Sequence, residues 1–440
     1  MHDHLLTDQE MLRFITHGYH LIHLKDIPDV HDAVCRQTVE AFKGGDPSDG
    51  VWTDVPALRS VFDHPVTRGA LKSLVGPDYL MYSHRHCHLS PSGFAGGKTH
   101  QDGTERTFAG WHRPWRRHFR ARTVMAIYYP QRVAIENGPT AVTPGSQYLG
   151  ALTHAQMAKE IPVCGKAGTI ALVHFDIWHR ATANQSDRDR IMMKFLFKRT
   201  AEPQAPTWSA ELDYKPQFQS SDQVPHLPLV WEDMWHWHND TPWSVPDYSM
   251  DLSDLTQNLY REMDSTDEAA AVTAAYTLGC LGPGILPELM NRLEATGGGI
   301  RERVPVALSA GGKASVGVLI EALSSSDPWI RTSAADTLGD IGTASLPALP
   351  AMRNSLNDLD PWVRHGAVEA IGIWGPEASD ARHDVVALLA DPEPFVRLNA
   401  LTALHNMDRR SLGTVNGIDD LLRDPHAKVR HHAHELLNAA

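Results

Sequence analysis

The stretch His179-Arg180-Ala181-Thr182-Ala183-Asn184-Gln185-Ser186-Asp187-Arg188-Asp189-Arg190 gains its meaning from a second one upstream, His100-Gln101-Asp102. Two histidines and one carboxylate hold ferrous iron by one face of an octahedron and leave the opposite face open. Residues i and i+2 of a strand point the same way, so His100 and Asp102 can reach one metal together. The third ligand must come from elsewhere in the fold, and His179 is the candidate. His-x-Asp alone carries little information, because the chain also contains His174-Phe175-Asp176 and His238-Asn239-Asp240. His174 is the competing ligand; its other reading is to pack against His179 or orient it. His238, among Trp235 and Trp237, reads as a packing residue.

A chain of 440 residues is too long for one ordinary core and implies roughly two to three domains. Its 42% hydrophobic and 21% charged content is that of a soluble globular protein. A formal charge of −13 argues against general binding to nucleic acid or to an anionic membrane surface. Cys35, Cys87, Cys164 and Cys280 are spread widely and form no CxxC pair, so reduced thiols in a cytoplasmic protein are expected. No secretory signal is visible at the N-terminus, and no apolar run approaches membrane-spanning length. The 26 histidines permit a metal and also guarantee accidental motif matches.

Along the chain, Thr7 and Glu10 form a capping-box pattern for a first helix, which Gly18 can stop before Tyr19-His20-Leu21-Ile22. From Ile27 to Gly76 the pattern is mostly helical. Short segments rich in β-branched and aromatic residues follow: Tyr79–His88, Thr123–Tyr129, Thr140–Val142, Gly168–Phe175 and Ile191–Phe197. Such strands suggest a barrel or jelly roll, in which opposed strands converge on a central cavity. Residues 201–264 are a Trp- and Pro-rich connecting segment with too many aromatics for a disordered linker. It is expected to wrap the core or to join the two domains.

The remainder, residues 265–440, is an internal repeat. Ile330-Arg331, Val363-Arg364, Val396-Arg397 and Val429-Arg430 recur every 33 residues, as do Leu338, Ile371, Leu404 and Leu437. Asp327-Pro328-Trp329, Asp360-Pro361-Trp362 and Glu393-Pro394-Phe395 stand just before three of the pairs. Pro just inside a helix start follows from its fixed φ and missing donor. Each unit thus reads as a helix, a turn and a second helix, in roughly five to six copies. The pattern resembles HEAT-like repeats and implies an all-α solenoid.

The N-terminal motifs, taken together, resemble the phytanoyl-CoA dioxygenase family of iron(II)/2-oxoglutarate enzymes. His179, Asn184, Ser186 and Arg190 match that family's distal histidine followed by Asn at +5, Ser at +7 and Arg at +11. Asn137-Gly138-Pro139, Pro144-Gly145-Ser146 and the opening Leu6-Thr7-Asp8-Gln9…Gly18-Tyr19 add to the likeness, which covers about residues 5–200. It implies a double-stranded β-helix (jelly roll) with flanking helices over residues 1–200. It further implies iron(II) held by His100, Asp102 and His179, with 2-oxoglutarate and O2 as co-substrates. Arg190 is implied to grip the distal carboxylate of 2-oxoglutarate by two parallel hydrogen bonds, in preference to its rival Arg188. Gln101, Asn184 and Ser186 are expected beside it. In related halogenases a small residue replaces the carboxylate ligand; Asp102 is present here, which favours hydroxylation or a related desaturation.

Between Trp111 and Arg122 lie five arginines in an otherwise acidic protein. In the family this segment borders the substrate entrance, so Arg113, Arg116 and Arg117 are candidates to bind an anionic small-molecule substrate. A solvated basic loop, or one paired with the acidic repeats, is the other reading. The solenoid is expected to serve as scaffold, oligomer surface or lid, or as a platform that docks a protein or carrier-bound substrate. A binding module with a dead enzyme domain is disfavoured, since every expected ligand is in place.

Overall fold

The computed structural model describes residues 4–102, 119–219, 221–243, 252–294 and 299–439. They divide into two compact units, one containing residues up to 102, 119–199 and 203–241, the other containing 200–202 and the chain from 242 onward.

The first unit opens with the helix Asp8–His17. Its cap is reciprocal: Glu10 N–H donates to Thr7 Oγ1, and Thr7 N–H donates to the Glu10 carboxylate at 2.8 Å. Gly18 ends the helix in the left-handed region at φ 78°, as its lack of a Cβ allows. Strands β1 (Tyr19–His23), β2 (Leu80–Ser90), β3 (Thr123–Tyr129), β4 (Thr140–Val142), β5 (Ile161–Pro162), β6 (Thr169–His174), β7 (His179–Ala181) and β8 (Arg190–Lys198) follow. They make a five-stranded sheet, β1-β6-β3-β8-β2, and a three-stranded one, β5-β4-β7, antiparallel throughout. This is the expected jelly roll. β5 and β7 are too short to be visible in the sequence.

Alternation on β8 decides what each face of the large sheet does. Phe195 and Phe197 point to one side, where Phe62 of the helix Leu58–Phe62 meets them at ring-centroid distances of 4.5 and 5.5 Å. The helices between residues 28 and 75 therefore cover that face, and Leu58, Val61, Leu71 and Leu74 are buried there. Arg190, Met192 and Lys194 alternate with this set and turn to the other face, toward the small sheet.

The Trp-rich segment wraps the first unit up to residue 241. Trp208 donates its indole N–H to Asp8 Oδ1 at 2.7 Å, and its ring lies 5.6 Å from that of Trp235 on the helix Pro228–Asn239. Arg120, Arg122 and Arg199 sit over Trp237 at 5.3–5.8 Å, a cation–π arrangement.

In the second unit the long helices Glu268–Cys280, Gly299–Ala310, Pro328–Ile341, Pro361–Trp374, Pro394–Met407 and Ala427–Ala439 alternate with shorter ones. Asp327 and Asp360 cap theirs, each accepting from the backbone N–H two residues on at 2.8 Å. The recurring arginine explains the constant spacing. Arg331 grips Asp358 with two hydrogen bonds of 2.7 and 2.8 Å, Arg364 grips Asp391, and Arg397 grips Asp424, always 27 residues ahead. The third nitrogen of each reaches back to a carbonyl of its own entry loop: Ser325, Asp358 and Asp391 in turn. Each guanidinium thereby ties one repeat to the next. Where helices of neighbouring repeats touch, Gly339 lies against Ala370 and Gly372 against Ala403; a Cβ added to either would come within 3.0 Å. Among the described residues no single helix is long and apolar enough to cross a membrane.

Candidate metal centre and co-substrate site

His100 and His179 face each other across one antiparallel rung, each donating its backbone N–H to the other's carbonyl at 2.9 Å. Residues opposed in this way carry their side chains on the same face, and the two rings lie 4.6 Å apart. The sequence placed His100 and Asp102 in a strand. In the structure His100 belongs to this single rung and Asp102 stands in the turn just after it. The turn brings the carboxylate back over the imidazoles: Oδ1 is 3.7 Å from His100 Nε2 and 3.9 Å from His179 Nε2.

The tautomers are set by the backbone. His100 Nδ1 lies 2.9 Å from the Lys98 carbonyl, and His179 Nδ1 lies 3.0 Å from that of Ile177. A carbonyl only accepts, so each Nδ1 carries a proton and Nε2 is the nitrogen each ring turns toward Asp102. Burial, the largest influence, holds His179 below its ordinary pKa and so in the neutral, ligating form. Burial alone would raise the Asp102 carboxyl, but Lys194, His179 and His100 outweigh it and hold the group well below the carboxylate range. One ligand atom from each of the three residues lies within 4.8 Å of the others, and among the described residues this is the group suited to a metal ion. Two neutral nitrogens and one anionic oxygen are the donor set that suits iron(II) with open positions.

A cationic strand borders the three. Lys194 donates to Asp102 Oδ2 at 3.1 Å. Arg190, four residues earlier on the same face of β8, is fully buried. Its Nη2 donates to Ser90 Oγ at 2.8 Å, while Nε and Nη1 have no hydrogen-bond partner among the described residues. A buried guanidinium left this way is costly, and a carboxylate accepting from one of the two open nitrogens, together with the second proton of Nη2, would offset part of that cost. The site therefore fits 2-oxoglutarate. His88 lies between the two cations in the strand register, opposite Met192. Burial first, then His86, Lys194 and Arg190, lower its pKa to about 3, so it is neutral.

Gln101, Asn184 and Ser186, expected beside the co-substrate, hydrogen-bond to backbone groups around the site. The Gln101 amide donates to the carbonyls of Leu149 and Asp176, bracing the loop between His100 and Asp102. Asn184 donates to the carbonyls of Ser90, Pro91 and Arg188 and accepts from Ser186 N–H and Oγ–H. This lock fixes the start of β8, and with it Arg190, against the end of β2. Gly138 follows from the same packing. Its φ of 69° puts it against the 182–184 backbone, which a Cβ would meet at 2.7 Å. Ser146 Oγ accepts from Trp178 N–H and steadies the entry to His179.

His174 is buried near Tyr148, outside the three-residue cluster, and His238 packs on Trp237 at 4.7 Å. Arg188 is largely exposed beside Asp187. Arg113, Arg116 and Arg117 lie outside the described residues. Sequence reasoning missed Ser90 and Lys194; no local motif marks either, because each matters through a strand pairing or a distant partner.

Residues 28–192 match the family model for phytanoyl-CoA dioxygenase (PhyH). The PhyH domain spans residues 28–192 of the N-terminal unit. Residues 349–438 match the model for HEAT repeats. The PhyH family comprises non-haem oxygenases that use iron(II), 2-oxoglutarate and O2, which is the chemistry expected from the motifs. The chain is similar to the solved structure of the non-haem α-ketoglutarate-dependent carbocyclase SnoK from nogalamycin biosynthesis, at 19% identity and TM-score 0.35, over 44% of this chain and 85% of that one. It is also similar to EctD from S. alaskensis with 2-oxoglutarate and 5-hydroxyectoine, at 15% identity and TM-score 0.37, over 51% and 87%. A third is the nickel complex of the non-haem monooxygenase ThoJ, at 18% identity and TM-score 0.34, over 51% and 94%. No curated protein matches the chain.

Proposed function

We propose that the PhyH domain hydroxylates an unactivated C–H bond of a small anionic metabolite, with iron held by His100, Asp102 and His179 and the far carboxylate of 2-oxoglutarate held by Arg190. The observation that carries this is the convergence of the three donor atoms beside a strand whose buried arginine has two nitrogens without partners among the described residues. When bound, the metal and co-substrate supply oxidative decarboxylation to succinate and CO2, coupled to oxygen insertion into the substrate. The chain's own part is positional. The Lys98 and Ile177 carbonyls aim both imidazoles, Ser90 fixes the guanidinium, and the Asn184–Ser186 lock holds β8 in register. A carboxylate at residue 102 leaves no vacant ligand position for a halide, which favours hydroxylation over halogenation. The arginines between 113 and 122 support an anionic substrate, with Arg113, Arg116 and Arg117 as its contacts.

The test is an anaerobic titration with iron(II) and then 2-oxoglutarate. A charge-transfer absorption band is expected in the wild type and absent in His179→Ala. A metabolite screen read through succinate release then identifies the substrate. An unchanged band in His179→Ala would remove this residue from the site. The HEAT repeats support a second reading, in which the substrate is a protein or is carrier-bound and docks on the solenoid. Turnover of a free small molecule by a chain shortened to residues 1–264 would dispose of it.

A further inference from the structure

We propose that Lys194 is a positioning residue for the iron site: by holding Asp102 Oδ2 it leaves the carboxylate a single oxygen, Oδ1, to offer the metal. The inference rests on the three-ligand reading above. The two oxygens of Asp102 are already divided in the structure. Oδ1 faces both imidazoles at 3.7 and 3.9 Å, and Oδ2 takes the Lys194 ammonium at 3.1 Å.

This is no surface pair of the kind that contributes little. The side chains are only 12% and 15% exposed, and among the described residues Asp102 is the one hydrogen-bond partner of the ammonium. Strand geometry puts the lysine there for a reason separable from stability. Lys194 and Arg190 share one face of β8, so the strand that anchors the co-substrate also restrains the anionic ligand.

Coordination counting gives the consequence. Bound here, an octahedral iron(II) would take three positions from the protein and keep three open for the co-substrates. A carboxylate free to chelate through both oxygens would take a fourth protein position, at the expense of the co-substrate or of oxygen. An ammonium fixed on Oδ2 prevents this, and as a compact point charge it does so without competing as a ligand.

The experiment compares Lys194→Met, Lys194→Arg and His179→Ala with the wild type, by anaerobic iron(II) titration and then 2-oxoglutarate titration of the charge-transfer band. Lys194→Met should bind iron at least as tightly as the wild type, because a nearby like charge has gone. It should bind 2-oxoglutarate about tenfold more weakly, in the range usual for a partner that orients a ligand. Its band should also be displaced. The loss should persist in about 1 M salt, where the Debye length is about 3 Å and long-range attraction of a dianion is screened. Lys194→Arg should restore most of it. A Lys194→Met protein with unaltered band and affinities, or one that loses iron and co-substrate alike, overturns the inference. So does a loss that salt abolishes. His179→Ala retaining the band would instead remove the three-ligand reading.

Discussion

Arg190 shows how a single side chain carries a functional argument. It is fully buried, and among the described residues its guanidinium makes one hydrogen bond, to Ser90, with two nitrogens open. Lysine in its place keeps the charge and loses the planar fork. Losing one charge-assisted hydrogen bond costs about 1.5–3 kcal/mol, so Arg190→Lys should raise the KM for 2-oxoglutarate by about 10- to 150-fold, with a smaller change in kcat. Steady-state kinetics against 2-oxoglutarate check this, and an unchanged KM would exclude Arg190 from the contact. That His100, Asp102 and His179 come together was legible because their types and spacing are themselves the motif. The tasks of Gln101, Asn184 and Ser186 were not, because a spacing says that a polar side chain is needed and not which carbonyl it faces. Lys194 was illegible for a simpler reason: its partner is 92 residues away.

Among the elements, the repeats were the most legible, since a period of 33 residues survives any uncertainty about helix ends. Asp-Pro drew the eye as a helix start, yet Asp358, Asp391 and Asp424, which keep the same period, are what the arginine forks hold. Local punctuation is visible in sequence, whereas a bond to the next unit is not. Arg364 tests the ladder. Asp391 is buried, and removing its fork leaves an uncompensated carboxylate. Arg364→Met should cost about 3–5 kcal/mol. Among the described residues Arg430 donates to the carbonyls of Asp424 and Pro425 and to no carboxylate, so Arg430→Met should cost less, about 1.5–3 kcal/mol. Urea denaturation followed by circular dichroism distinguishes the two, and equal losses would show that the ladder adds nothing beyond ordinary hydrogen bonds. The small sheet was the least legible part of the first unit. Of its strands Thr140–Val142 was read from the sequence, whereas β5 and β7 offer too little sequence for an alternation and His100 joins by one rung only.

For the whole molecule, the two units should answer acid differently. In the first, burial and neighbouring cations lower His88 to about 3. A histidine whose folded pKa lies below its unfolded value of about 6.5 leaves the unfolded chain holding more protons between the two. Stability therefore falls as pH drops from about 6.5 toward 3. In the repeats, burial would raise Asp358 and Asp424, but hydrogen bonds from Arg331 and Arg397 and their charges prevail and lower both. Their contribution is complete above the unfolded carboxylate value of about 3.9 and is lost only as pH falls below it. Thermal melts from pH 7 to 3 should therefore show His88→Gln flattening the loss that begins near pH 6, and Asp358→Asn flattening only the loss below about pH 4. Identical profiles for both variants would contradict the assignment.

The arginine ladder also bears on how such an array can change length. Each link is keyed identically at both ends, so excising residues 359–391 would join Asp358 directly to Pro392, leave Arg331 its usual carboxylate, and give Arg397 the Asp358 carbonyl in place of the one it lost. A solenoid wired in this way can be lengthened or shortened by whole 33-residue modules while the splice stays invisible to its neighbours.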